Sequence, residues 1–413
     1  MTRDEKTVVA LTGCSHALSH GYLLIFPAVL LLLQKEFSLG YLQLGIIGNI
    51  MSFSYGLGAL PGGMIYNRMG PKRLFLLCFL GSSLVALFIA GSSRLILFTI
   101  GLALLGALGS VYHPLANSLI TSKVREYGRA LGIHGAAGNL GLAAAPFLAG
   151  LIASAYGWRL AYLAFAIPGV GIAIWVLLMN MPPVGGSGSS LPAPKAGFLP
   201  AARDFRRYFS LPLICLYTTN LLNSFCFHGS MTFLPTYMAK FAAFRIFSLD
   251  SVAIGGMLSS IVLLMGALGQ FTGGMMAQRP GVEKKFLSVT LLAFPSLLAM
   301  SFSSHLLLLI VALVYYFFNF SLQPMNNTLL ARHTSGDMRA TAFGIYFSIA
   351  FGIGSSAASY SGYIAQKFGL QWVFAGLSIS TFLLIGVTYL FIDLKKPVIL
   401  AVEEESMRPG IRK

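Results

Sequence analysis

The stretch His16-Ala-Leu-Ser-His-Gly-Tyr-Leu-Leu-Ile-Phe-Pro27 lies inside the first long apolar segment of the chain. Its two histidines are four residues apart, so on a helix they share one face. The second half carries a partial copy of this stretch. His228-Gly229 is followed by Pro235 at the same distance as His20-Gly21 is followed by Pro27. Ionisable residues inside apolar segments are costly and usually functional. The stretch therefore indicates a duplicated membrane protein with a histidine in each half.

The composition supports a membrane protein. The 413 residues are 56% hydrophobic and only 10% charged, against about 25% charged in soluble proteins, and the mean hydropathy is +0.78. Twelve apolar segments of roughly 20 residues each have the length of a membrane-spanning helix. The predicted spans are 9–33, 42–66, 74–91, 95–120, 130–154, 159–180, 211–238, 252–276, 286–303, 306–331, 341–366 and 372–392.

An internal repeat relates the two sets of six segments. His113-Pro114 and Asn117 recur as Gln323-Pro324 and Asn327 at an offset of 210 residues. We therefore predict an all-α membrane protein of two pseudo-symmetric six-helix bundles, which places the site between the halves. The predicted boundaries are a first bundle over 1–181, a Gly/Ser/Pro-rich linker over 182–207, a second bundle over 208–394 and a tail over 395–413.

The basic residues predict the topology. If the N-terminus is cytoplasmic, most of the 28 lysines and arginines fall on the cytoplasmic side, as the positive-inside rule requires. We expect a bacterial-type inner membrane with both termini and the linker in the cytoplasm. Because the basic residues flank the spans and cover no soluble face, the net charge of +16 does not predict a nucleic-acid partner.

The sequence lacks the motif that several other classes of function require. The chain contains no Gly-x-x-x-x-Gly-Lys-Ser/Thr phosphate loop, so the nucleotide-driven pump, kinase and hydrolase readings fail. We predict a protein that is not an enzyme and needs no cofactor. A membrane sensor or scaffold is the competing class, but it would need neither a histidine in each half nor the matched loops described next.

A loop motif joins the second and third segments, Gly63-Met-Ile-Tyr-Asn67-Arg68-Met-Gly70-Pro71-Lys72-Arg73, and recurs in part as Gly274 to Arg279. It resembles the Gly-x-x-x-Asp-Arg-x-Gly-Arg-Arg signature of the major facilitator superfamily, with Asn67 in place of the aspartate. The resemblance implies the major facilitator fold and a loop that latches the two halves on the cytoplasmic side. The predicted gating residues are Gly63, Asn67, Arg68, Gly70, Lys72, Gln278 and Arg279.

Two further motifs resemble particular branches. Gly132, Gly141 and Pro146 of helix 5 are similar to the antiporter signature of drug–proton exporters, which predicts close packing against a helix of the other half. The His113-Pro114 pair of helix 4 is similar to that of fosmidomycin-resistance-type facilitators. Leu102 departs from the exporter pattern, which has an arginine there.

Candidate site residues follow from the absence of Asp and Glu in every predicted span. A protonatable group near the midplane must then be histidine, tyrosine or cysteine, and histidine titrates near neutral pH. The resemblance implies that helices 1, 4, 7 and 10 line the cavity. The predicted substrate-binding or proton-coupling residues are His16, His20, Tyr22, His113, Asn117, Asn220, Asn223, His228, Gln323, Asn327 and Tyr346. Each has an alternative role in hydrogen bonds between helices. His134, near the cytoplasmic start of helix 5, is not among them.

The predicted function is secondary transport of a small amphipathic or anionic compound by alternating access, as proton-coupled efflux. Uptake by proton symport or uniport is the alternative, and transition-metal transport is a third reading because imidazole suits such metals. No metal site is predicted. The expected partners are a small solute, protons and the lipid bilayer, and we expect a monomer.

Overall fold

The computed structural model describes residues 1–179, 206–244, 248–334 and 336–407, with backbone only at 59–68, 128, 206, 336–337, 339–340 and 394–407. All regular elements in these ranges are helical. The twelve long helices are α1 (Arg3–Ala28), α2 (41–69), α3 (71–90), α4 (Leu95–Lys123), α5 (Tyr127–Tyr156), α6 (Trp158–Leu178), α7 (Leu211–Tyr237), α8 (Ser251–Ala277), α9 (Val282–Met300), α10 (His305–Arg332), α11 (336–367) and α12 (Val373–Met407). The predicted all-α fold of twelve helices is confirmed.

Nine helices in the described part of the chain are long and apolar enough to cross a membrane. Most helix bounds fall within a few residues of the predicted spans, but α12 continues beyond residue 392 to Met407. The extension includes three glutamates, two leucines and two lysines, which are good helix formers. Residues 182–205 of the predicted linker and 408–413 of the predicted tail lie outside the described residues.

Four glycines with positive φ repeat the duplication in the backbone. Gly70 and Gly281 both have φ of 74°, at the junctions that follow α2 and α8. Gly157 and Gly369 have φ of 86° and 105°, at the junctions that follow α5 and α11. A side chain with Cβ rarely adopts these angles. The two halves therefore turn at corresponding positions, and Gly70 of the predicted gating loop is one of them.

The predicted gating loop is only partly described. The side chains of Asn67 and Arg68, together with Gly63, lie in the range where the backbone alone is described. Lys72 at the start of α3 donates from Nζ to the carbonyls of Leu177 and Met179, at 2.9 and 3.1 Å. These two hydrogen bonds cap the C-terminal end of α6 and join it to α3 within the first half. In the other half, Gln278 caps α8 and the Arg279 amide donates to Met276 O.

The halves meet through two helix pairs, α2 with α11 and α5 with α8, which the repeat relates to each other. A Cβ on Gly45 of α2 would overlap the Ala358 carbonyl of α11, and one on Gly256 of α8 would overlap the Pro146 carbonyl of α5. Hydrogen bonds join the same pairs, from Tyr41 N to Gln366 Oε1 and from Phe147 N to Ser260 Oγ. Because α2 and α8 begin here and α5 and α11 end here, the halves are joined at the end away from the N-terminus.

The small residues of α5 face two different helices. The expected close packing against a helix of the other half occurs with α8, where Pro146 and Gly150 lie against Gly256. Gly141 lies against Ala17 of α1 in its own half, and a Cβ on Gly132 would have no atom within 4 Å.

Proline shapes α4 beside the candidate site. The helix is interrupted at Val111, between Leu95–Ser110 and Tyr112–Lys123. Pro114 lacks an N–H, and its ring conflicts with the carbonyl four residues earlier, that of Ser110. The interruption places Tyr112 and His113 at the break in the helix.

Candidate functional site

Four histidines from three helices form one cluster, which we call the histidine cluster: His16 and His20 of α1, His113 of α4 and His134 of α5. The His16 ring stacks on His134 with centroids 4.1 Å apart. It also lies 4.8 Å from His20 and 5.0 Å from His113. The cluster brings together three predicted histidines and one that was not predicted.

The hydrogen bonds of the cluster define where its protons lie. His16 Nδ1 is 2.9 Å from the carbonyl oxygen of His134, and since a carbonyl only accepts, Nδ1 carries the proton. In neutral His16 the Nε2 atom is then an acceptor. It lies 3.1 Å from Nε2 of His20, which must donate. The two rings therefore share one proton, and the remaining nitrogen of neutral His20, Nδ1, is an acceptor.

Small residues allow the rings to approach this closely. A Cβ on Gly138 of α5 would overlap the His16 ring, and Gly13 of α1 lies against Ala137. Tyr112 fixes α4 to α1 by donating its hydroxyl proton to the Thr12 carbonyl, and its ring is 5.7 Å from that of His16. The helices of the cluster are thus held by glycine contacts and one buried hydroxyl.

One side of the cluster is more accessible than the other. His16 and His134 are buried, at 8% and 4% exposure, whereas His20 and His113 are half-buried. Ligand nitrogens of His16, His20 and His113 all lie within 4.8 Å of one another, so these three rings also have the proximity that a transition metal would need.

His228 of α7 is separated from the cluster. Its ring lies 5.2 Å from Phe351 of α11, Phe351 lies 5.0 Å from Tyr55 of α2, and Tyr55 lies 6.2 Å from His113. At the 208-residue offset of the His20–His228 pair, the counterpart of His16 is Ser224, and at the 210-residue offset of the repeat in α4 and α10, that of His113 is Gln323. The second half thus has one histidine where the first has a cluster, linked to it through two aromatic rings.

Carboxamide side chains meet in the second half, and one of them, Gln323, is the repeat counterpart of His113. Asn319 of α10 donates from Nδ2 to Asn223 Oδ1 of α7 at 3.0 Å. Gln270 of α8 donates from Nε2 to Gln323 Oε1 of α10 at 3.2 Å. Asn327 Oδ1 is buried without a hydrogen-bond partner among the described residues. We call these five residues the carboxamide group.

The remaining predicted residues divide into packed and exposed ones. Asn220 donates from Nδ2 to the Tyr346 carbonyl at 2.7 Å, and the Tyr346 ring is buried between Phe343 and Phe347. The Tyr22 hydroxyl lies 3.1 Å from Ser83 Oγ of α3. These side chains join helices within one half and do not reach the histidine cluster. Asn117 of α4 is exposed.

Some site residues carry only a faint sequence signal. His134 precedes Gly138 and Gly141 by four and seven residues, which is the spacing of one helix face. The sequence alone therefore predicts that His134 lies on the same face of α5 as these glycines. Nothing in the pattern distinguishes Gln270, Asn319, Tyr55 or Phe351 from ordinary residues of apolar helices. Their placement depends on how the helices pack.

Comparisons with known proteins agree with this architecture. The sequence profile of the Major Facilitator Superfamily matches residues 9–359 and 243–409. The chain is 26% identical over 277 residues to the "Probable sulfoacetate transporter SauU" of Cupriavidus necator, which covers 60% of this chain and 59% of that protein. It is 31% identical over 160 residues to the fosmidomycin resistance protein of Escherichia coli, covering 38% of each. The chain thus spans less than two thirds of the length of these curated relatives.

A solved structure has the same fold. It is a bacterial homologue of the human lysosomal transporter Spinster in an inward-facing, unoccupied conformation, with a TM-score of 0.80 and 16% identity. The alignment covers 95% of this chain and 97% of that chain.

Proposed function

Because the chain belongs to the Major Facilitator Superfamily, it is a secondary transporter, and we propose that it exports a small organic solute by alternating access in exchange for protons. The relatives support an organic solute, since their names refer to sulfoacetate and fosmidomycin. The similarity to the fosmidomycin resistance protein covers 38% of this chain, so membership of the drug–proton antiporter branch stays a prediction.

The observation that carries proton coupling is the hydrogen bond between His16 and His20. Two imidazoles at 3.1 Å hold one proton between them. A second proton on His16 Nε2 would remove the acceptor, whereas one on His20 Nδ1 would keep this hydrogen bond and add a positive charge to it. Loading the cluster with a proton therefore changes the charge and the hydrogen bonding at the junction of α1, α4 and α5. This is a local change of the kind that can bias two global conformations.

Solute and proton compete in this scheme. Neutral His20 offers its free Nδ1 as an acceptor to a solute hydroxyl or amine, and protonation converts that nitrogen into a donor. A solute that donates to His20 is released when the histidine is protonated. Competition for one site is the requirement of an exchanger, whereas a symporter needs the two to bind together.

The proposed cycle uses the contacts between the halves. With the N-terminus in the cytoplasm, the joined ends of α2, α11, α5 and α8 lie on the outer side, so this conformation opens inward. The outward-facing state would separate these ends and join the halves through the gating loop residues. We further propose a monomer in a bacterial-type inner membrane, with both termini and the linker in the cytoplasm.

Transport in proteoliposomes with imposed pH gradients and a panel of organic solutes tests the function. Acidic outside buffer should accelerate loss of a preloaded solute, and reversing the gradient should slow it. Empty liposomes and a clamped membrane potential are the controls. Solute movement that ignores the gradient in both directions would make the protein a uniporter.

Two other functions give different results in the same assay. Proton symport would produce accumulation when the outside is acidic, because solute and proton then move inward together. Metal transport is the second candidate because three histidine nitrogens of the cluster lie within 4.8 Å of one another. Zinc entry into liposomes loaded with a metal-sensitive dye, abolished in His113→Gln, would favour it over organic solute export.

A further inference from the structure

The two halves contribute different side chains to the proposed solute path. The first half contributes the histidine cluster, whereas the carboxamide group comes entirely from α7, α8 and α10 of the second half. These three helices contain no Asp, Glu or Lys, and the single Arg332 is the last residue of α10. Apart from His228, polar recognition by the middle of these helices must therefore use uncharged hydrogen bonds.

The carboxamide group forms one continuous surface. Asn319, Gln323 and Asn327 follow each other at intervals of four residues, which places them on one face of α10. Asn223 extends that face onto α7, and Gln270 extends it onto α8, through the hydrogen bonds described above. Gln323 is exposed, and it is the repeat counterpart of His113. The surface thus lies in the second half where the histidine cluster lies in the first.

The internal hydrogen bonds leave part of this surface unused. A carboxamide has one acceptor oxygen and two N–H protons. Each pair uses one N–H and one oxygen, which leaves an oxygen on Asn319 and Gln270 and the amide nitrogens of Asn223 and Gln323 without a partner among the described residues. Asn327 Oδ1 is a further acceptor, buried and unpaired. An unpaired buried polar atom costs free energy, so a ligand that supplies a donor is favoured there.

We infer that the carboxamide group binds the hydroxyl or amide groups of the transported solute, which is therefore a polyhydroxylated or amide-bearing compound. Hydroxyl and amide groups both donate and accept, as the unused atoms require. A carboxylate only accepts and an ammonium only donates, so neither satisfies the surface alone. The inference rests on the proposed function, because it takes the ligand of the carboxamide group to be the transported solute. It adds the chemical class of that solute.

Binding to the purified full-length protein in detergent tests this inference at one pH and without a gradient. The probes are a hexose, a hexonate, a nucleoside and nicotinamide, with propionate and ethylammonium as compounds that lack hydroxyl and amide groups. At least one of the first four should raise the thermal unfolding midpoint, and the last two should not. No response to any of the first four, or an equal response to propionate, would overturn the assignment.

Variants locate the binding. Gln323→Leu and Asn327→Leu should each raise the probe concentration that gives half of the shift by about 3- to 10-fold, the usual cost of one hydrogen bond. Gln323→Glu keeps the size of the side chain, loses its N–H groups and should weaken binding similarly, which covers the case in which a leucine variant does not fold. The matched control is Asn139→Leu in α5 of the first half, which should bind as the wild type does.

The outcomes separate this inference from proton coupling. Unchanged binding in both Gln323 variants would remove the carboxamide group from the solute site and leave gradient-driven transport intact. Normal probe binding combined with gradient-insensitive transport would leave the carboxamide group in place and remove the exchange mechanism.

Discussion

At the scale of the residue, the position of the His16 ring depends on a glycine in the neighbouring helix. Gly138→Ala would place a methyl group inside the space of that ring. We expect the variant to lose about 1–3 kcal/mol of stability, as overpacked cores do, and to lose proton coupling because His16 is displaced from His20. Thermal unfolding in detergent and gradient-driven transport measure the two effects.

Gly135 provides the matched control for that variant. It lies one turn away on the same helix, and a Cβ there would meet no atom within 4 Å. Gly135→Ala should therefore be neutral or more stable by about 0.5–1 kcal/mol, the usual gain from replacing glycine inside a helix. Equal loss of stability in both variants would contradict the contact between Gly138 and His16.

Single residues were predictable where chemistry alone identifies them. A histidine in an apolar span is conspicuous, so His16, His20 and His113 could be found without a structure. The carboxamide group shows the limit, because Gln270 and Asn319 are recognisable only through the residues they face. His228 matches His20 in sequence, yet its neighbours are aromatic, since the duplication preserved the residue and not its surroundings.

At the scale of the element, an ion pair joins the short helix that follows α1, Leu30–Glu36, to the start of α6. Arg159 Nη2 lies 2.7 Å from Glu36 Oε1, and the Trp158 indole N–H donates to Glu36 Oε2 at 2.6 Å. The hydrogen bond from Arg159 is the main cause that lowers the pKa of Glu36 below its ordinary value of 4.5, and the one from Trp158 adds to it.

The sign of the pH effect follows from this lowered pKa. The folded state favours ionised Glu36, so its contribution is complete above the ordinary carboxyl pKa and is lost as the pH falls through the folded value. Glu36→Gln should lower the free energy of unfolding by on the order of 1 kcal/mol or less at pH 7, as the loss of an exposed ion pair does. At a pH below the folded pKa of Glu36 the two proteins should be equally stable. Thermal unfolding at pH 7 and below pH 4 measures it; a constant difference between the two proteins would contradict the assignment.

The helix pairs between the halves give a second prediction at this scale. Gly256→Val should push α8 away from Pro146 of α5 and shift the population towards the outward-facing state by about 1–3 kcal/mol. A cysteine at Ala358, which is buried against α2, reports the separation through labelling by an impermeant maleimide in a background without the four native cysteines. Gly386→Val in α12 is the control, because a Cβ there meets nothing within 4 Å. Unchanged labelling in Gly256→Val would contradict a closed outer end.

The existence of the helices was predictable from the sequence, but the positions where they are interrupted were less so. The length of the apolar segments predicted all twelve helices. For example, α8 at Ser251–Ala277 extends one residue beyond its predicted span at each end. The π-helical segment Ile349–Ile353 in α11, which places Phe351 beside Tyr55, has no sequence signature as clear as a proline. Close packing of α5 against the other half was predictable from its small residues, but which of them faces α8 and which faces α1 was not, because small residues permit close packing without specifying the neighbour.

At the scale of the whole molecule, the duplication explains the architecture, and the proposed function rests on the asymmetry between the halves. The paired glycines at the helix junctions preserve the backbone symmetry of the halves. The polar side chains have diverged, with the histidine cluster in one half and the carboxamide group in the other. Sequence offsets predicted the symmetry, but the asymmetry required the packed structure, since it depends on four histidines from three helices meeting.

Proton movement driven by solute is the most direct test of the central claim that His16 and His20 exchange a proton for solute. Proteoliposomes preloaded with the solute selected from the panel, and containing an internal pH dye, should acidify as solute leaves. His20→Gln keeps a similar size but cannot titrate, so solute should leave without acidification, whereas His228→Gln should acidify as the wild type does. Equal acidification by the wild type and by His20→Gln, or none in either, would contradict the assignment of proton exchange to this histidine pair.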